Sequence, residues 1–331
     1  MLNVGLLGAG RIGQVHAVNI AAHPKTRLAA VSDVHLASAE TLAKTHASTV
    51  KTSDEIIADP GIDAVLIATS TDTHADLIEA ATAAGKAVLC EKPVDLSLDR
   101  ARACQAQVAS AGVPVMVGFN RRFDRNFSDL KGALDAGEIG APEMLAITSF
   151  DPAPPPIDYV KVSGGLFRDM MIHDFDIATF LMGEPPVKIS AVGSSIIDTR
   201  IGAEGDVDTA AVTMTYAGGQ IAVIRNSRRA AYGYDQRIEL LGSDGMLQAQ
   251  NMLENSVVKS TADGVTAAKP MYFFLERYMP AFAALWDGFA TSVTQGSALP
   301  VSLDDGVTAL QMAEAATRSH QTGQPVLLGD L

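Results

Sequence analysis

An α/β chain of two domains is predicted here: first a doubly wound parallel sheet, then an α+β domain with a large open, mostly antiparallel sheet. Three observations predict it. Up to Gly118, short apolar runs alternate with Ala- and Leu-rich stretches. Beyond Gly118 that alternation gives way to strand-like runs joined by short turns. The length of 331 residues is also more than twice the ~150 of an average domain. The boundary falls at residue 120, giving domains 1–120 and 121–331, with the terminal helices free to pack back on the first domain.

Each element of the first domain has its own signal. Residues 2–7 are short, apolar and end in glycines, which reads as a buried strand. A helix follows from about Gly10 to His23 and is closed by Pro24. Residues 27–33 form a second strand with an acidic end, and 36–46 a helix. Ala64–Thr69 is a third strand. The next helix, Thr73–Ala84, has Thr73 and Asp76 spaced as a capping box and Gly85 as its stop. Ala87–Cys90 is a fourth strand, Ser97–Ala111 a helix and Val113–Gly118 a fifth strand. Strands this apolar need helices on both faces of the sheet.

The second domain opens with a helix near 127–136 and a strand near 143–150. A Pro-rich loop (Pro152 to Pro156) and a helix near Asp169–Leu181 follow. Strands are then expected at 187–196, 207–216, 220–227, 235–241 and 245–250, with Gly218-Gly219 as a hairpin turn. Successive strands on short turns pair antiparallel. Helices at about 273–295 and 303–321 close the chain.

Composition narrows the function. The chain carries 25 Lys and Arg against 38 Asp and Glu, a net charge of −13, which repels phosphate backbones and argues against nucleic acid. No apolar run reaches the ~18 residues that span a bilayer. The start, Met-Leu-Asn-Val-Gly-Leu-Leu, has no basic segment of the kind a signal peptide carries. The two cysteines, Cys90 and Cys104, form no CxxC pair and are expected as buried reduced thiols. A cytoplasmic globular protein is expected, with a small-molecule partner and no metal.

The strongest local signal is Gly8-Ala9-Gly10-Arg11-Ile12-Gly13. It follows the first strand, opens the first helix, and has Asp33 twenty residues beyond Gly13 at the end of the second strand. These contexts turn a weak GxGxxG match into the Rossmann dinucleotide fingerprint. Asp33 can accept hydrogen bonds from ribose hydroxyls and would repel a 2′-phosphate, so NAD is expected over NADP. His16, on the first helix, is expected as a surface or packing residue. His74 starts the helix after the third strand and is placed to line the cofactor cleft.

Ligands of such sheets lie at the C-terminal ends of the strands. Glu91-Lys92-Pro93 follows the fourth strand and puts Lys92 there, where an amine can hold a substrate hydroxyl. Asn120-Arg121-Arg122 follows the fifth strand and can donate to substrate oxygens or form a hinge salt bridge. In the second domain, Asp169 and His173 stand four apart, on one face of the expected helix. Three readings of this pair are open: a general base, a structural helix-start cluster, or a metal site. Metal is the weakest, because no His or Cys cluster supplies further ligands. Tyr232, Tyr234, Asp151, Asp158, Tyr159 and Lys161 stand in loops that can offer polar groups to a polyol or simply be solvated.

These motifs together resemble the glucose-fructose oxidoreductase / inositol dehydrogenase family. The carriers are the Gly8–Gly13 turn, Thr71-Asp72-Thr73-His74, Glu91-Lys92-Pro93, the run Gly118 to Asp124, and the run from Gly164-Gly165 through Asp169 to His173-Asp174-Phe175-Asp176. The resemblance spans essentially the whole chain in order and spacing. It implies NAD-dependent oxidation of myo-inositol to 2-keto-myo-inositol, with Lys92, Asp169 and His173 as the catalytic set. The resemblance further implies a homotetramer built through the open sheet and a cis Lys92-Pro93 bond. From motif placement, cofactor contacts are expected from Gly8, Gly10, Arg11, Ile12, Gly13, Asp33, Thr69, Thr71, His74, Glu91 and Lys92. Substrate contacts are expected from Lys92, Asn120, Arg121, Asp151, Asp169, His173 and Tyr234. Related activities stay open at this point: oxidation of scyllo-inositol, D-chiro-inositol or an aldose, a glycosidase that uses NAD transiently, or a sensor that binds NAD without turnover.

Overall fold

The computed structural model describes residues 1–331 and divides into two compact units. The first unit is Met1–Phe123 with Pro280–Leu310, and the second is Asp124–Met279 with Gln311–Leu331.

The first unit contains β1 (Leu2–Leu7), α1 (Arg11–Ala22), β2 (Thr26–Ser32), α2 (Leu36–Thr45), β3 (Thr49–Val50), α3 (Ser53–Ala58), β4 (Ala64–Ile67), α4 (His74–Ala83), β5 (Ala87–Cys90), α5 (Leu98–Ala109) and β6 (Val115–Val117). The sheet order is β3-β2-β1-β4-β5-β6, and every pairing is parallel. All four residues of β4 and of β5 are buried, so neither strand has a solvent face. The order reverses between β2 and β4 around β1, which makes the C-terminal end of β1 the crevice for a ligand.

One local expectation is corrected and a neighbouring one holds. Thr73 precedes α4 but makes no capping bond to it; its hydroxyl donates to the Ser70 carbonyl and meets Thr69 Oγ1, because a 3₁₀ turn over Thr71–Thr73 leads into the helix. The capping box lies instead at α3, where Thr52 and Glu55 bond each other's backbone N–H groups. Gly85 does end α4, with φ of 75°, a conformation that glycine enters without a side-chain clash.

The second unit contains α6 (Arg125–Asp135), β7 (Pro142–Phe150), α7 (Ile157–Ser163), α8 (Leu166–Asp169), α9 (Ile172–Met182), β8 (Lys188–Ser194), α10 (Thr199–Ala203), β9 (Thr209–Thr215), β10 (Ile221–Ser227), β11 (Asp235–Gly242), β12 (Gly245–Ala249) and the hairpin of β13 (Val258–Thr261) with β14 (Gly264–Ala267). Helices α11 (Phe274–Gln295) and α12 (Leu303–Thr322) and strand β15 (Val326–Leu327) end the chain. The large sheet runs β12-β11-β7-β10-β9-β8-β15 and is antiparallel except where β7 meets β10. Burial alternates along β9 and β10, as a sheet with one covered face requires. Val212, Met214, Ala222, Ile224, Ile238 and Leu240 face the core, while Met144, Val192, Leu241 and Met246 are exposed.

The Pro-rich loop carries α7, a helix that the proline cluster concealed. The expected helix from Asp169 to Leu181 is broken. Asp169 closes the four-residue α8, and His173 is the second residue of α9. Met170 and Met171 between them keep right-handed backbone angles, so the chain goes on coiling without one continuous helix. The four-residue spacing of Asp169 and His173 therefore spans a helix-helix junction rather than one helical face. No helix of the protein is long and apolar enough to cross a membrane.

Candidate active site

In the first unit, the fingerprint turn is built as a cradle. Gly8 has φ of 100°, and a Cβ there would strike the Ala68 carbonyl; a Cβ on Gly13 would strike the Gly8 carbonyl. Those two glycines are demanded by the protein itself. Gly10 is different, because a Cβ there meets nothing within 4 Å. The middle glycine thus faces open space, where a pyrophosphate can approach the backbone. Helix α1 begins here with no side-chain cap and no acidic residue in its first turn, so its N–H groups remain for an anion. Asp33 Oδ2 accepts the Ala9 N–H at 2.6 Å and Oδ1 accepts the His35 N–H at 2.7 Å. The carboxylate ties the glycine turn to the end of β2 and keeps further lone pairs for ribose hydroxyls. Cradle, free helix end and acceptor fit a dinucleotide without a 2′-phosphate.

The loops after β4, β5 and β6 gather the other first-unit candidates. Thr69 and Thr71 lie just after β4, and His74 begins α4. His74 is buried; its Nδ1 lies 2.8 Å from the Pro93 carbonyl and its Nε2 3.2 Å from the Thr69 carbonyl. It ties the loop after β4 to the loop that carries Lys92. The Lys92-Pro93 peptide is cis. Glu91 Oε1 lies 2.7 Å from His16 Nε2, and the Glu91 N–H donates to Ile67. Gly118 lies so close to Glu91 that a Cβ would stand 3.0 Å from its carboxylate, which explains a glycine at the end of β6. His16 is fully buried, with its ring edge-on to Phe282 at 5.6 Å. It is a packing residue that also holds the glutamate beside Lys92. Arg11 and Ile12 open α1 above the cradle, and Asn120 and Arg121 are buried after β6. Arg122 takes the salt-bridge alternative, with Nη2 at 2.9 Å from Asp305. Burial opposes ionisation of Asp305, but Arg122 and the Ser302 N–H and hydroxyl outweigh it and hold the carboxyl below its ordinary value. Both cysteines are buried; burial pushes the Cys90 thiol well up and the Cys104 thiol to about 12.

In the second unit, the C-terminal ends of the parallel neighbours β7 and β10 carry the polar candidates. Asp151 follows β7; its N–H donates to Ser227 and its carbonyl accepts from Ala230. Asp169 accepts the Tyr159 hydroxyl at 2.8 Å on Oδ1, and Arg228 stands against its Oδ2. Asp174, adjacent to His173, is fully buried and accepts from Ser149 Oγ at 2.6 Å and Asn226 Nδ2 at 2.9 Å. Ser149 lies on β7 and Asn226 on β10, so this buried carboxylate pins the first turn of α9 over both strands and brings His173 to that region of the sheet. Tyr234 is buried, with its ring edge-on to Tyr278 at 5.9 Å. Tyr232 is half-exposed and gives its hydroxyl to Asp235. Burial, the Asp235 hydrogen bond and the Asp235 charge raise the Tyr232 phenol to about 12.

Lys92 belongs to the first unit, and Asp169 and His173 to the second. Within the second unit the fold groups Tyr159, Asp169 and Arg228. Arg228 and Asp206 escaped the sequence reading. The available signal was weak: Ser227-Arg228-Arg229 places two cations directly after a strand, at the same end as Asp151.

Comparison with known proteins adds an independent line. Residues 2–119 match the model of an oxidoreductase family with an NAD-binding Rossmann fold, GFO_IDH_MocA, and residues 127–248 match the GFO/IDH/MocA C-terminal domain. The chain is 50% identical over 315 residues to an inositol 2-dehydrogenase of Rhizobium meliloti, covering 95% of this chain and 96% of that protein. It is 43% identical over 332 residues to a myo-inositol 2-dehydrogenase of Thermotoga maritima, covering 100% and 99%. The crystal structure of a myo-inositol dehydrogenase from Corynebacterium glutamicum superposes with a TM-score of 0.95 at 42% identity, covering 99% of each chain.

Proposed function

The chain belongs to the GFO/IDH/MocA oxidoreductase family, and on that premise we propose that it oxidises myo-inositol to 2-keto-myo-inositol with NAD. The observation that carries the reading is an NAD cradle complete in its backbone, in a chain that also keeps Lys92, Asp169 and His173 in the family's motifs. NAD supplies the hydride acceptor when bound. Gly8, Gly10, Arg11, Ile12, Gly13 and Asp33 would hold its phosphates and adenosine ribose, and Thr69, Thr71, His74, Glu91 and Lys92 would supply its remaining contacts. His173 removes the hydroxyl proton, and Asp169 orients the imidazole and stabilises its protonated form. Lys92 donates a hydrogen bond to the reacting oxygen and stabilises the charge that grows there. Asn120, Arg121, Asp151 and Tyr234 supply contacts to the other hydroxyls. The first unit serves the cofactor, and the second serves substrate binding and assembly.

The enzyme works, in this proposal, as a cytoplasmic homotetramer. Buried unpaired thiols suit a reducing compartment. The open sheet face, with exposed Met144, Val192, Leu241 and Met246, suits burial against other copies. The test is NADH formation with NAD or NADP on myo-inositol, scyllo-inositol, D-chiro-inositol, D-glucose and D-xylose, with molar mass measured by light scattering. Fastest turnover on myo-inositol with NAD is expected. Fastest turnover on another sugar discards the substrate and keeps the family, and NAD binding without turnover on any of them sinks the enzymatic reading.

A further inference from the structure

The most unusual charge in the second unit is Arg228, which directly follows β10 and is 1% exposed. Its Nη1 and Nη2 lie 3.5 and 3.4 Å from a single oxygen, Asp169 Oδ2. The same Nη2 lies 3.9 Å from Asp206 Oδ2. One cation therefore bridges two carboxylates that would otherwise repel each other. Asp206 is itself fixed, because its Oδ1 accepts the Leu166 N–H at 2.9 Å, at the head of α8, the helix that Asp169 closes. The Arg228 backbone is fixed as well: its N–H donates to the carbonyl of the fully buried Asp208, whose carboxylate accepts N–H groups of Ile196, Ile197 and Asp198. The other Asp169 oxygen holds the Tyr159 hydroxyl.

A buried guanidinium is a poor way to stabilise a fold, since an apolar side chain of similar volume generally does as well or better. It stands here against the carboxylate of the proton-removing pair. We propose that Arg228 is a positioning residue of the oxidation: its guanidinium clamps the Asp169 carboxylate in the one orientation from which Asp169 serves His173. This rests on the roles given above to Asp169 and His173. Tyr159 restrains the second oxygen, so the carboxylate cannot rotate as the neighbouring imidazole gains and loses its proton. Outer partners of this kind commonly set activity by ~10–100-fold.

The test compares Arg228→Met, Arg228→Lys and Asp169→Asn, each double variant with Asp169→Asn, and wild type. The readouts are kcat and KM for myo-inositol, NADH affinity by fluorescence, and melting temperature. Arg228→Met is expected to lower kcat ~10–100-fold while KM and NADH affinity stay within ~3-fold of wild type, and Arg228→Lys to recover part of the loss. In the Asp169→Asn background, either change at Arg228 should cost less than ~2-fold, because Arg228 acts through Asp169. Wild-type kcat in Arg228→Met, or an equal loss with and without Asp169, overturns the proposal. If Arg228→Met does not fold, Arg228→Lys decides by the same criterion: a loss confined to the Asp169 background supports it, and an equal loss in both overturns it. If Asp169→Asn keeps wild-type kcat, the reading of Asp169 fails; if Asp169→Asn is slow and Arg228→Met is not, only the role of Arg228 fails.

Discussion

The cofactor cradle of the first unit and the carboxylate clamp of the second are built in opposite ways. The cradle is local: Gly8 to Gly13 are contiguous, the groups it offers are backbone N–H groups, and one distant side chain, Asp33, braces it. The clamp is non-local: Tyr159, Asp169, Asp206 and Arg228 come from a helix, a helix end, a loop and a strand end spread over seventy residues. A backbone site tolerates almost any side chain outside its glycines, whereas a side-chain site depends on every member and on what holds it. The two should therefore break differently.

The largest expected effect is chemical. Lys92→Ala or His173→Ala should lower kcat by ~10²–10⁴-fold while the protein still binds NADH. A well-folded His173→Ala enzyme with normal kcat would remove the second unit from the chemistry. Next come the glycines, which separate folding from binding inside one motif. Gly8→Ala should destabilise by ~1–3 kcal/mol in chemical denaturation, because it forces a side chain into a left-handed backbone against Ala68. Gly10→Ala should leave stability unchanged and weaken NADH binding roughly tenfold, since its methyl occupies only the ligand's space. Equal loss of stability in both variants would refute the cradle geometry.

The smallest expected effect is electrostatic and belongs to the first unit. The folded state holds the Asp305 carboxyl below its ordinary value, so the Arg122 pair adds stability that is present above the unfolded Asp value of ~3.9 and fades as pH falls through the folded one. Asp305→Asn should cost ~1 kcal/mol at pH 7, and urea midpoints of variant and wild type should draw together only as pH falls below ~3.9 and through the lowered folded value. A gap that persists in acid would assign the effect to packing.

The same contrast explains what could be read in advance. The strands at 2–7, 64–67 and 87–90 and the hairpin at Gly218-Gly219 were legible because apolar runs and turn glycines act over a few residues. The α3 capping box at Thr52 and Glu55 is equally local, but the helix it starts is only six residues long, too short for a periodic apolar pattern. The break between α8 and α9 carried no proline or glycine at Met170-Met171, so periodicity ran through it. Nothing near His16 in the chain points to Glu91, 75 residues away, whose carboxylate the fold sets 2.7 Å from its ring.

By itself, the sequence determined the fold class, the dinucleotide turn with its acidic partner at Asp33, and the strand ends that carry Lys92 and Asp151, because hydrophobic period and glycine spacing are properties of neighbouring residues. Only the tertiary structure decided that Arg228 stands against Asp169, that Tyr159 holds its other oxygen, and that Asp174 pins the start of α9 to β7 and β10. Those partners are separated by 10 to 59 residues in the chain, and a charge identifies its partner only once folding has removed both from water.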